Sequence, residues 1–366
     1  MPSRSRLAPD VFALPVDHIR EGYYTDAYFN GAKRVLETKD LHPQVTMQVF
    51  QKSEAAVLGG MDEALATLRL CAGFFEGDGP ARVWRDGWGR LVVHALHDGD
   101  DLAAWETALT IEGDYSLFAH LETVYLGVLS RRTLVGTNVR RVVEAAGGKP
   151  ILFFPARFDH YRVQTGDGYA AHVAGAIGVS TDAQASWWGG KGIGTVPHGL
   201  IAAYGGDTVA ATQAFADVYY PEMNVTALVD WDNDCVATSL ACAREVGERL
   251  WGVRLDTSET LVDRSLWDEM GTFRPNGVAP ELVRAVRRAL DDEGFQAVHI
   301  VVSGGFDAER IRRFEASGVP ADAYGVGSSL LRGNNDFTAD VVLVEGRPCA
   351  KVGRRHRPNP RLERVT

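Results

Sequence analysis

The chain has 366 residues, 45% of them apolar and 23% charged, the balance of a globular protein of about two or three domains. Its formal charge of −10 argues against a nucleic-acid partner and leaves room only for a local basic pocket. No apolar run reaches the 18 residues of a membrane span, and the opening MPSRSRLAPDVFALPVDHI lacks the continuous apolar core of a secretory signal. The four cysteines, Cys71, Cys235, Cys242 and Cys349, fit neither zinc nor disulfide spacing. They read as reduced thiols of a cytoplasmic protein with no membrane partner.

In chain order, YYTDAYF (23–29) comes first. Its aromatic residues either pack inward or offer a stacking surface to a flat ring. VTMQVFQ (45–51) and ARVWRDGWGRLVVHAL (81–96) alternate as antiparallel strands do, the second around a glycine-bearing turn. MDEALATLRLCAGFF (61–75) has helical spacing, as does the stretch from Tyr115 to Ala146, which Gly147–Gly148 ends. Beyond that point short apolar runs at 150–158, 225–231, 250–257, 297–306 and 323–331 alternate with amphipathic helical stretches. Such alternation makes parallel βα units. At least five units without a dinucleotide-type first loop favour a barrel over an open sheet. The last segment, 336–359, reads as two strands joined at Glu345–Gly346 that return to the N-terminal sheet. The expected division is an N-terminal α+β domain, 1–148, completed by 335–366, and an α/β barrel, 149–334.

Barrels carry their sites at the C-terminal ends of the strands, so the residues that close each apolar run matter most. Those ends are Phe154 to Arg157, Asp230 to Asp232, Arg254 to Thr257, Ser303-Gly304-Gly305-Phe306-Asp307 and Gly325-Val326-Gly327-Ser328-Ser329. Glycine and serine ahead of a helix expose backbone N–H groups to an anion, although the same residues are ordinary turn formers. Two such loops in succession, at the end of a βα series, favour a phosphate site. Arg254 and Asp256 share a face of their strand, and charges there are placed better at the mouth than in the core. A purely structural ion pair is the alternative. Asp230, Asp232 and Asp234 are weak candidates for a hard cation such as magnesium, since turns and helix caps account for them equally well. His198, in GIGTVPHG, is either a turn residue after Pro197 or a reactive group in a βα loop of the barrel.

Taken together and in order, YYTDAYF, LETVYLGVLSRRT, FFPARFDHY, GVSTDAQ, GTVPHGLI, VRLDTSE, VSGGFD and YGVGSSLL resemble the nicotinate phosphoribosyltransferases in their compact archaeal and bacterial form. The resemblance covers nearly the whole chain. It implies an irregular, incomplete α/β barrel of the type II phosphoribosyltransferase kind beside a smaller α+β domain, in a homodimer whose active sites are shared. It implies that nicotinate joins phosphoribosyl pyrophosphate to give nicotinate mononucleotide and pyrophosphate. ATP is then a co-substrate, Mg2+ accompanies the phosphates, and no tightly bound organic cofactor is expected.

Carried over by motif, His198 matches the histidine that ATP phosphorylates. Asp26 and Tyr28 match residues that reach the pyridine ring from the partner subunit. Phe154 would cover the other ring face, and Arg157 would lie near phosphate or carboxylate. Ser180, with Thr181 and Asp182 as its neighbours in a one-residue slip, falls where amide-using relatives carry an aspartate, and a serine there can donate to a carboxylate. Arg254 and Asp256 would hold ribose, pyrophosphate or ring. Ser303, Gly304 and Gly305, with Gly325, Gly327, Ser328 and Ser329, would cradle the 5′-phosphate. Quinolinate or nicotinamide as substrate, or a silent ligand-binding homologue, are the alternatives. Quinolinate's second carboxylate calls for more cations than Arg157, Arg254 and either Lys351 or Arg140 supply.

Overall fold

The computed structural model describes residues 5–77 and 79–366, so the first four residues of the N-terminal stretch read above lie outside it. The chain divides into two compact units, one taking the chain up to Thr137 together with Gly333–Thr366, the other Asn138–Arg332. The first division falls inside the helix Glu122–Ala145 and not at the glycine pair that follows it, because Tyr125 and Leu129 of that helix belong to the core of the first unit. Among the described residues no helix is long and apolar enough to cross a membrane.

The first unit is built on a six-stranded antiparallel sheet in the order Arg347–Pro348, Phe337–Val344, Gln44–Gln51, Thr107–Asp114, Val92–Ala95 and Glu363–Arg364. Gln44–Gln51 is central and buried over nearly its whole length, with Val45, Met47 and Val49 in the core. The hairpin expected across 81–96 does not form. Val83–Asp86 pairs with Gly73–Glu76 in a separate ribbon, and a short 3-10 turn, Trp88–Arg90, parts it from Val92–Ala95. The helix expected over 61–75 stops at Cys71 for the same reason: 73–76 is taken up as a strand.

The second unit carries a six-stranded, wholly parallel sheet. Its strands are β1 (Ile151–Phe153), β2 (Gly178–Val179), β3 (Val225–Leu228), β4 (Leu250–Leu255), β5 (His299–Val302) and β6 (Ala323–Val326), in the order β3-β4-β5-β6-β1-β2. β3 and β6 are buried at every position, which explains why they read as unbroken apolar runs. The helices Cys235–Val246, Pro280–Asp292 and Ala308–Ala316 cover the sheet, the second burying Leu282, Val283, Val286 and Leu290.

The barrel stays incomplete, because β2 and β3 do not pair. The segment 192–197 lies between them instead. Ile193 N–H donates to the Val179 carbonyl at 2.8 Å, and Val196 N–H donates to the Thr226 carbonyl at 3.0 Å. The residues before His198 thus bridge the gap with one hydrogen bond to each edge. β2, only two residues long, leaves too little periodicity for a sequence to betray it.

Candidate active site

All six strands end on one side, and their following loops enclose a cavity of about 640 Å³, a size typical for small-molecule ligands. β4 alternates, burying Val253 and Leu255 and turning Arg254 to the cavity, with Asp256 just beyond the strand. Arg254 reaches three partners. Its Nη2 lies 3.1 Å from Asp256 Oδ2, its Nε donates to Ser303 Oγ at 2.8 Å, and its Nη1 donates to Thr195 Oγ1 at 3.3 Å. Ser303 closes the triangle by donating to Asp256 Oδ1 at 2.7 Å. The pair is therefore an ion pair and also part of the cavity wall, both side chains being 20% exposed.

The Arg254 guanidinium carbon also lies 5.5 Å from the centre of the Phe154 ring. That ring lies against the end of β6, where a Cβ on Gly325 would come within 2.9 Å of it. Gly325→Ala should push the ring into the cavity and weaken the binding of a flat aromatic ligand there about 2- to 10-fold, the range that one aromatic contact supplies. Calorimetric titration of wild type and variant with a pyridine carboxylate checks this.

The two glycine–serine loops face the same space. Gly304 and Gly305 take left-handed φ values of +86° and +71°, which turns this loop in a way an L side chain resists. Among the described residues, the N–H groups of Gly304, Gly305, Gly327 and Ser328 have no acceptor. Ser329 Oγ donates to the Phe306 carbonyl at 2.8 Å and so ties the loops together. Asp307 caps the helix Ala308–Ala316 by accepting from Arg310 N–H at 2.8 Å. Four open amides in two joined loops, with Arg332 also in the lining, can cradle an anion.

His198 opens the short helix His198–Ala203 and lines the cavity at its open side. Its Nε2 is 3.0 Å from Asp230 Oδ1. With Asp230 ionised, Nε2 carries the proton and Nδ1 keeps a lone pair. The imidazole is half exposed and the carboxylate is nearly buried. Burial pushes the Asp230 carboxyl above its ordinary range, and His198 draws it part of the way back. A carboxyl raised by folding contributes stability below its unfolded pKa and loses it as pH rises through the folded value. Asp230→Asn removes that loss. At pH 7 it should raise Tm, with the gain vanishing near about pH 4, where the unfolded carboxyl is itself protonated. Thermal melts across pH would show this.

The aspartates do not assemble a metal site. Asp230 is engaged by His198, Asp232 is exposed, and Asp234 caps the helix Cys235–Val246 by accepting from Ala237 N–H at 3.1 Å. Among the described residues no group of three His, Cys, Asp or Glu side chains could hold a metal ion.

Comparison with known proteins agrees with this geometry. Residues 26–133 match the family model for the N-terminal domain of quinolinate phosphoribosyl transferase. The nicotinate phosphoribosyltransferase pncB1 of Mycobacterium tuberculosis is 32% identical over 254 residues, 66% of this chain and 51% of the relative. The crystal structure of nicotinate-nucleotide pyrophosphorylase from Pyrococcus furiosus superposes with a TM-score of 0.78 at 32% identity, covering 95% of this chain and 84% of that one. The chain belongs to the nicotinate phosphoribosyltransferase family. It spans about half the length of the curated relatives it matches. Human nicotinic acid phosphoribosyltransferase shares the fold, with a TM-score of 0.62 at 18% identity over 89% of this chain and 75% of that one.

As in its phosphoribosyltransferase neighbours of the type II fold, the parallel sheet of this family member is a half-barrel. Its cavity brings together Phe154, Arg157, Ser180, His198, Arg254, Asp256, Ser303, Gly304, Gly305, Gly325, Gly327, Ser328 and Ser329, all named from the sequence. Thr181 is not in the lining. It caps a short helix by accepting from Gln184 N–H at 3.1 Å and donates to Gln164 Oε1 at 2.9 Å. Asp182 accepts from Gly192 N–H at 2.8 Å and so steadies the bridging segment.

Asp26 and Tyr28 belong to the other unit. Asp26 accepts from Thr123 Oγ1 at 2.8 Å, and Tyr28 stands 67% exposed with its ring 4.3 Å from that of Phe29. Arg140 and Lys351 are not among the lining residues. The sequence reading missed Thr195, Phe158 and Arg332, which line the cavity, and Asp230 as the partner of His198. Arg332 had a signal, since it follows the second glycine–serine loop directly. Thr195 had none, because only the open sheet puts it against Arg254.

Proposed function

We propose that this protein is a nicotinate phosphoribosyltransferase of NAD biosynthesis and salvage. It would join nicotinate to phosphoribosyl pyrophosphate with ATP hydrolysis coupled through His198. One observation carries the reading. A single cavity sets four acceptor-free amides beside Arg157, Arg254 and Arg332, with the Phe154 ring at hand. The amides suit a 5′-phosphate, the ring suits a flat heterocycle, and the arginines suit a diphosphate and a carboxylate.

In the reaction the pyridine nitrogen attacks C1 of the ribose as the C1–O bond to pyrophosphate breaks, and the electron pair leaves with the pyrophosphate. The sugar carbon becomes cationic on the way. Catalysis is then positioning plus stabilisation of the leaving charge. Arg254, fixed by Asp256, Ser303 and Thr195, is oriented for the leaving group before substrate arrives. Asp256 leaves a carboxylate near the developing cation. Magnesium would enter with the substrate, carried in on the diphosphate, where it would offset the charge of the leaving group. His198, as a neutral imidazole with Nδ1 unprotonated, would accept the γ-phosphoryl group of ATP as its bond to ADP breaks, and water would later take that group off as phosphate. Tyr28 and Asp26 would complete the pyridine site of a partner subunit in a cytoplasmic homodimer, which accounts for an aromatic side chain left so exposed.

The quinolinate family model, matched at 26–133, favours a second reading, a transferase for a pyridine dicarboxylate. The cavity weighs against it: of its three arginines Arg254 is already paired with Asp256, which leaves Arg157 and Arg332 for the phosphates and two carboxylates. Mass spectrometry of products formed from phosphoribosyl pyrophosphate with nicotinate, nicotinamide or quinolinate separates the cases. Nicotinate mononucleotide as the main product supports the proposal. Product from quinolinate alone, with carbon dioxide, replaces it.

A further inference from the structure

Ser180, at the end of β2, does not stand alone. Its backbone N–H donates to Gln184 Oε1 at 3.0 Å, and its hydroxyl donates to the same oxygen at 3.1 Å. Gln184 is 1% exposed, and its main chain is fixed from two sides. Thr181 Oγ1 accepts its N–H, and its carbonyl presses so closely on Gly168 that a Cβ there would lie 2.2 Å away. The side-chain amide has one usable orientation, because the Ser180 N–H needs an acceptor and a flipped amide would offer a donor.

A hydroxyl has a single proton. With that proton on Gln184, Ser180 turns lone pairs to the cavity. Lone pairs accept from the NH2 of a carboxamide and repel a carboxylate. A carboxylate is met only when the hydroxyl swings its proton away from Gln184. We propose that Gln184 is a positioning residue that sets the choice between pyridine acid and pyridine amide by holding the proton of Ser180. The inference rests on the proposed function, with Ser180 in the same cavity lining as Phe154 and beside the ring substituent; nicotinate then binds by drawing the hydroxyl proton away from Gln184, and that competition is what Gln184 controls.

Two variants move the balance in opposite directions. Gln184→Met takes no proton from Ser180, so selectivity for nicotinate over nicotinamide should rise about 10-fold. Gln184→Glu holds the proton harder and adds negative charge, so selectivity should fall about 10-fold. In a Ser180→Ala background both effects should shrink to within about 2-fold, as the coupling requires. The readouts are the ratio of kcat/KM values with both pyridines in one vessel and the Kd of each pyridine by calorimetry. Opposite shifts that vanish with Ser180 support the inference. Unchanged ratios, shifts of one sign, or shifts that persist without the hydroxyl overturn it and leave the proposed function intact. A wild-type protein that neither binds nor converts either pyridine overturns both.

Discussion

His198→Ala is expected to leave a folded protein that takes no label from γ-32P-labelled ATP and gains nothing from ATP in turnover. The side chain is half exposed and packs little, so its removal costs the fold little. What the proposed mechanism then loses is the coupling between a phosphorylated His198 and substrate affinity. Couplings between sites typically run from about 5- to 150-fold. KM for phosphoribosyl pyrophosphate in the presence of ATP should rise by a factor in that range, to the value seen without ATP, while the ATP-independent kcat stays near the wild-type value. Intact-mass and peptide spectra of protein incubated with ATP and magnesium give the first half of the test, and initial rates give the second. Phosphate found on another residue, or an ATP effect that survives the substitution, breaks the assignment.

Arg254→Ala is expected to give the largest loss of turnover. The guanidinium joins Asp256, Ser303 and Thr195 in one fixed arrangement, and its charge points where pyrophosphate departs in the proposed mechanism. Removing one preorganised donor of this kind typically lowers kcat by about 10²–10³, or about 3–4 kcal/mol. Arg254→Lys should recover little, because an ammonium cannot serve three directions from one plane. Pre-steady-state measurement of pyrophosphate release separates this from a binding defect. A variant with normal kcat and raised KM alone would mean that Arg254 only binds.

The sequence made most of this cavity legible, for a physical reason. Buried parallel strands are runs of apolar residues, so the polar residues that end each run mark the open side of the sheet. Arg254, Asp256, Ser303 and Gly327 were readable in that way. Residues that come together through irregular backbone were not. Thr195 reaches Arg254 only because 192–197 occupies the gap between β2 and β3, and no periodicity records that gap. Asp230 illustrates a different limit. Three aspartates in VDWDNDC look alike in sequence, yet one orients a histidine, one caps a helix and one is exposed. The failed hairpin at 81–96 shows that alternation identifies strands but not their partners.

Hydrogen exchange with and without nicotinate mononucleotide tests the central claim most directly. The amides of Gly304, Gly305, Gly327 and Ser328 have no acceptor in the free protein and should exchange quickly. Bound product should place its 5′-phosphate on them, so peptides spanning 303–307 and 325–329 should gain protection while the core of the other unit stays unchanged. Turnover of nicotinate without protection of these two loops, or protection confined to other segments, would contradict the account.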